Sequence, residues 1–115
     1  MENQRRLIRL ETRDFLEIKP VNEVAKRLKA EIKDFSLMGI CFNSEVEWQR
    51  GQVLIIDYFL SDDLDSVRVK VVVAWSEFID HAKGYFCGAE VIGVDQDKQD
   101  KFAAYYYKKL RERFY

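Results

Sequence analysis

Proline, glycine, histidine and cysteine are all scarce in this 115-residue chain: one Pro, five Gly, one His and two Cys. So little Pro and Gly excludes collagen-like or low-complexity character. Cys41 and Cys87 make neither a metal spacing nor a CxxC pair, and they read as reduced thiols packed as small apolar side chains. His81 has no His, Cys or Glu partner at zinc-like spacing, so neither imidazole catalysis nor a metal site is supported. Charge of one sign is not in excess either, with 19 Lys and Arg against 20 Asp and Glu. That balance argues against a general polyanion binder, whose affinity rests on many unopposed cations. Any anionic ligand must be met by a local cluster. No apolar run approaches the ~20 residues of a membrane helix. The N-terminus, MENQRRLIRLETR, lacks the apolar core of a secretion signal. The expectation is a soluble cytoplasmic protein without membrane insertion.

What is present is a globular composition, 48% hydrophobic and 14% aromatic, in a length that suits one domain. Residues 1–12 are charge-dense, with Leu7, Ile8 and Leu10 as the aliphatic residues, and read as a mobile arm. A short strand follows from Arg13, through Phe15 and Ile18, closed by Lys19-Pro20. Residues 21–33 carry both a helical stripe and a period of two; the turn-rich Asp34–Gly39 after them favours a strand over 27–33. Ile40-Cys41-Phe42 begins the next strand. Gln52–Leu60, Val67–Trp75 and Tyr85–Ile92 are rich in β-branched and aromatic residues and predict three more, with Ser76–Lys83 a looser stretch. Asp95–Tyr115 predicts a helix with Phe102, Tyr106, Leu110 and Phe114 on one face, and Asp95 and Asp97 as candidate caps. The fold class expected is all-β with a C-terminal helix: a small antiparallel β-barrel over 13–92 and a helix over 95–115.

Two segments carry possible chemistry. Arg5, Arg6 and Arg9 form a cluster containing Arg5-x-x-x-Arg9, overlapped by Arg9-x-x-x-Arg13. A guanidinium is a planar fork of donors that fits phosphate oxygens and the guanine edge. Alone, the cluster reads as a solvated charged terminus. The second segment is Asp34-x-Ser36-x-x-Gly39. An ionised Asp accepts hydrogen bonds and suits the adjacent N–H donors of guanine, while Gly permits close approach or a positive φ. Alone, it reads as an ordinary turn. The tyrosine run 105–107 with Lys108-Lys109 reads as core packing by one tyrosine beside solvated charges. Trp48 and Trp75 read as barrel or helix contacts.

Together the two segments resemble the PilZ domain family, bacterial receptors for cyclic di-GMP marked by RxxxR and then [D/N]xSxxG on a six-stranded barrel. Asp34 follows Arg9 by 25 positions (34 − 9), an interval typical of that family. Gly88-Ala89-Glu90-Val91, Asp95 and the helix look like its last strand and closing helix. The resemblance implies that Arg5 and Arg9, assisted by Arg6, hold guanine and phosphate. It also implies that Asp34 and Ser36 read a guanine edge, with Gly39 tight against the ligand. Arg13 could replace Arg5 in the pair. Ordering of the arm would then relay the signal to a downstream protein that the sequence does not name. The alternative is a ligand-independent adaptor acting through protein contacts. A barrel for single-stranded nucleic acid would want a basic, aromatic sheet face, which Asp62-Asp63-Leu64-Asp65 disfavours. No nucleophile, metal cluster or acid–base pair suggests an enzyme, and no cofactor is implied.

Overall fold

Alternation of side chains builds the barrel. Leu16, Ile18, Leu54, Ile56, Tyr58, Val67, Val69 and Val71 are each 0% exposed, while Arg68 and Lys70 between them face solvent. Each fully buried side chain of this size contributes about 1.5–3 kcal/mol through removal of apolar surface from water. In the computed structural model, which describes residues 8–21, 27–60 and 65–114, these residues lie on seven strands. They are β1 (Leu10–Glu11), β2 (Phe15–Pro20), β3 (Leu28–Phe35), β4 (Gly39–Ser44), β5 (Val53–Leu60), β6 (Asp65–Asp80) and β7 (Gly84–Val94). A 3-10 turn (Gln96–Lys98) leads into one helix, α1 (Gln99–Phe114).

All strand pairs are antiparallel, in the order β3-β2-β5-β6-β7-β4, and β4 returns to pair with β3. That closure makes a six-stranded barrel and removes the open edges of a flat sheet. The extra strand β1 lies along β3 through Leu10↔Phe35 and Glu11↔Asp34. It narrows the arm expected over residues 1–12: Leu10 is 2% exposed and belongs to the core. Residues 1–7, with Arg5 and Arg6, lie outside the described residues, as do 61–64 of the acidic loop.

Two elements run further than the sequence pattern predicts. β6 continues through Ser76–Asp80, pairing Phe78↔Tyr85 and Asp80↔Gly84. Its register with β7 shifts at Lys70/Val71, Val73/Trp75 and Phe78/Asp80; the first leaves an extra residue on β7, and the other two leave one on β6 and end its two-residue period. β3 extends to Phe35, so Asp34 sits in a strand and not in the turn. Gly84 closes the β6–β7 hairpin at φ 81, where a side chain would also meet the Ser44 carbonyl.

The helix packs through aromatic rings. Phe35 is 5.3 to 6.1 Å from the ring centroids of Tyr58, Phe102, Tyr105 and Tyr106, in tilted or edge-on arrangements. Two tyrosines of the run are therefore buried, Tyr105 and Tyr106, where one was expected; Tyr107 is exposed. Phe114, the last member of the expected stripe, is also exposed. Asp95 precedes the 3-10 turn without making a side-chain cap. The helix is tethered instead by Lys98 and Lys101, both on the Asp65 carboxylate at 2.9 and 2.5 Å. Cys41 and Cys87 are buried free thiols, and desolvation pushes both up to about 11.

Candidate functional site

The β3–β4 hairpin is the centre of the site. Its turn is held from three sides: the Ser36 amide donates to the Gly39 carbonyl at 2.8 Å, the Met38 amide to Ser36 Oγ at 3.2 Å, and the Val91 amide to the Met38 carbonyl at 2.9 Å. Ser36 is 2% exposed, so its oxygen first stabilises the turn; its hydroxyl proton remains to be donated. Just before the turn, the register of β3 against β4 shifts between Ile32 and Asp34. Asp34 stands opposite Glu11 of β1 on one side and Cys41 of β4 on the other.

Arg9 reaches this hairpin from the chain entering β1. Its Nη1 lies 3.2 Å from Asp34 Oδ1, and its side chain is 51% exposed. An ion pair this open to water contributes about 0–1 kcal/mol to folding. Its importance is that it sets a cationic fork beside the hairpin with most of its donors unpaired among the described residues. Gly39 makes the approach possible. A Cβ there would lie 2.7 Å from Arg9 Nη2 and 3.3 Å from the Ala89 carbonyl, so glycine serves here to leave room for the guanidinium and not to adopt a positive φ. Arg13, the alternative member of the arginine pair, makes no ion pair among the described residues and does not line the cleft beside Arg9.

That cleft has a volume of about 260 Å³ and is lined by Arg9, by Ser36 and Met38 of the β3–β4 turn, by Ala74 and Trp75 of β6, and by Gly88, Ala89 and Glu90 of β7. Trp75 was read from sequence as a packing residue. Here it is 45% exposed, and its indole lies against Gly88 so closely that a Cβ would come within 2.3 Å of the ring. The Trp75↔Gly88 pairing at a register shift of β6 on β7 produces this arrangement. No local pattern pointed to it, because the register shift after Val73 ends the regular alternation there. Trp48, by contrast, is 4% exposed and donates Nε1–H to Ser44 Oγ at 3.0 Å, as a core residue should. No group of three or more His, Cys, Asp or Glu among the described residues could hold a metal ion. No helix among them is long and apolar enough to cross a membrane.

Chemically, the cleft offers a guanidinium fork, a hydroxyl, the Glu90 carboxylate and a half-exposed indole, with the Asp34 carboxylate paired to Arg9 beside it. Such a set can hold a planar, hydrogen-bonding, anionic molecule; it contains no evident nucleophile–base pair.

Comparison with known structures places the same barrel in two other proteins. The Bacillus subtilis inhibitor of motility (MotI/DgrA) superposes with a TM-score of 0.75 at 14% identity, over 95% of this chain and 51% of that one. The chain thus spans about half the length of that protein. The PilZ domain of YcgR from Escherichia coli, in a structure with c-di-GMP, gives a TM-score of 0.69 at 15% identity, over 96% and 94% of the two chains. At such identities the likeness shows the fold. No curated protein matches the sequence. The family model for the PilZ domain matches residues 3–108, nearly the whole chain. With a closed six-stranded barrel, an added strand and a single C-terminal helix, the chain belongs to the PilZ domain family, whose members are receptor and adaptor domains.

Proposed function

We propose that this chain binds cyclic di-GMP at the cleft between the β3–β4 hairpin and Trp75, and relays its occupancy to a protein partner in the bacterial cytoplasm. The observation that carries the reading is that Arg9 and Ser36, one from each motif, line one cleft with Trp75, while Asp34 pairs with Arg9 and Gly39 packs against its guanidinium. The similar YcgR domain was solved with that nucleotide. Arg9 supplies paired donors for a phosphate or a guanine O6/N7 edge. Asp34, whose carboxylate keeps acceptor capacity beyond its single Arg9 contact, meets guanine N1–H and N2–H. Trp75 offers a stacking face for a base. A cleft of about 260 Å³ is small beside the ~300–1,000 Å³ of pockets that enclose drug-sized ligands. It seats part of a cyclic dinucleotide, and the remainder falls to Arg5 and Arg6 of the arm, whose closing over the ligand is the signal.

Calorimetric titration tests this. Cyclic di-GMP should bind at micromolar Kd or tighter, with GTP and cyclic AMP far weaker, since neither links two guanylates. Arg9→Ala should weaken binding about tenfold to a hundredfold, the loss of one charge-assisted contact, with the melting temperature nearly unchanged. No binding by the wild-type protein would leave the adaptor reading. Equal affinity for all three nucleotides would reduce the cleft to a general anion site.

A further inference from the structure

Between Arg9 and the helix lies a contact that neither motif contains. The Tyr106 hydroxyl donates a hydrogen bond of 2.6 Å to the carbonyl of Ile8. That carbonyl belongs to the peptide group whose nitrogen is Arg9's own, and a planar peptide fixed at its oxygen is fixed at its nitrogen as well. The Ile8 side chain is 47% exposed and the Arg9 side chain 51% exposed, so neither is held by burial. At this point of the chain, the bond from Tyr106 supplements the Arg9–Asp34 pair.

Tyr106 is well suited to be the fixed end. It is 1% exposed, and its ring sits 5.7 Å from Phe35, the residue opposite Leu10 in the β1–β3 pair. Its helix is pinned twice more: Tyr105 donates to Asp14 at 2.7 Å, and Lys98 and Lys101 hold Asp65. The helix is thus a post joined to the barrel at several points, with one hydroxyl extended to the arginine strand.

We propose that Tyr106 is a positioning residue for the cleft: its hydroxyl orients the Ile8–Arg9 peptide, so that helix α1 sets Arg9 against Asp34. The proposal rests on the cyclic di-GMP reading for its ligand and deepens it, because the helix becomes the element through which occupancy of the cleft is communicated. Coupling is reciprocal. Whatever holds Arg9 in the cleft also holds Ile8 under Tyr106, and whatever displaces the helix loosens Arg9.

Tyr106→Phe removes the hydroxyl and keeps the ring; Tyr107→Phe, on the exposed face, is the control. In protein without ligand, hydrogen exchange by NMR should show the amides of residues 10–12 exchanging about two- to tenfold faster in Tyr106→Phe, the loss of one hydrogen bond. Amides of β5 and β6 should be unchanged. In titrations with cyclic di-GMP, Kd should rise by a similar factor, and Tyr106→Phe should add nothing further in an Arg9→Ala background. Unchanged exchange at residues 10–12, or an equal added loss in the Arg9→Ala background, would overturn the proposal. Wild-type protein silent toward cyclic di-GMP, with faster exchange in the variant, would refute the receptor reading and uphold the anchor.

Discussion

Asp14 is 4% exposed, and both of its neighbours' hydroxyls converge on one oxygen: Tyr58 at 2.8 Å and Tyr105 at 2.7 Å on Oδ2. Burial and the adjacent Asp14 carboxyl push the Tyr58 phenol well above its usual range, so Tyr58 stays a neutral donor. Asp14→Leu substitutes a side chain of similar branching and removes the acceptor without opening a cavity. The buried Tyr58 hydroxyl is then orphaned, at a cost of about 1–3 kcal/mol. In a domain of this size each kcal/mol moves the midpoint by about 4 °C, so a loss of about 2 kcal/mol lowers Tm by roughly 8 °C. The decisive feature is a change of sign. Tyr58→Phe alone should destabilise by about 1–3 kcal/mol, because it removes a donor that a buried carboxyl uses. In the Asp14→Leu background the same substitution removes an orphaned hydroxyl and should stabilise. Urea unfolding of the four proteins, followed by far-ultraviolet circular dichroism, gives both values. Destabilisation of equal size in both backgrounds would refute the assignment of Asp14 as the shared acceptor.

Two further outcomes are expected. Gly88→Ala should drive the Trp75 indole off its seat, since the new Cβ falls within 2.3 Å of the ring, and titration should show cyclic di-GMP binding weakened about tenfold. Because Trp75 is a surface side chain, Tm should fall by only a few degrees. The Asp65 carboxyl is held far below its usual range by hydrogen bonds from Lys101, then Lys98, then the Ser66 amide. A depressed folded-state pKa means that its stabilisation is complete above about pH 4, where unfolded Asp is ionised, and is lost as pH falls through the folded value. The Tm gap between wild type and Asp65→Asn should therefore be flat from pH 8 to 5 and narrow below about pH 4; a gap that widens on acidification would refute it.

Regular alternation made most of the barrel legible. VRVKV declares its inward and outward faces residue by residue, QVLIIDYFL declares a strand by its β-branched and aromatic content, and the two pair as β5 and β6. The pattern is silent where register shifts. The far end of β6 passes two irregularities against β7 after Val73, and its alternating burial dissolves there into exposed and half-exposed positions. Trp75 belongs to that region, which is why its place in the cleft could not be read from its neighbours in sequence. The motif residues were visible because Arg, Asp, Ser and Gly at set intervals are recognisable, and the structure brings Arg9, Asp34, Ser36 and Gly39 together. Their supports were not visible. Asp14 meets Tyr105 across 91 positions and Tyr106 meets Ile8 across 98, and no local periodicity encodes so distant a hydroxyl contact. The tyrosine run could be assigned to the core by its spacing, but which oxygen each ring would seek depended on the closed barrel.

The contrast between the two tryptophans gives the protein a built-in optical pair. Trp48, 4% exposed and bonded to Ser44, should emit at short wavelength and ignore aqueous quenchers; Trp75, 45% exposed on the cleft wall, should emit to the red and be quenched readily. Light from one indole thus reports the integrity of the barrel, and light from the other reports what rests in the cleft, in the same cuvette and without a label.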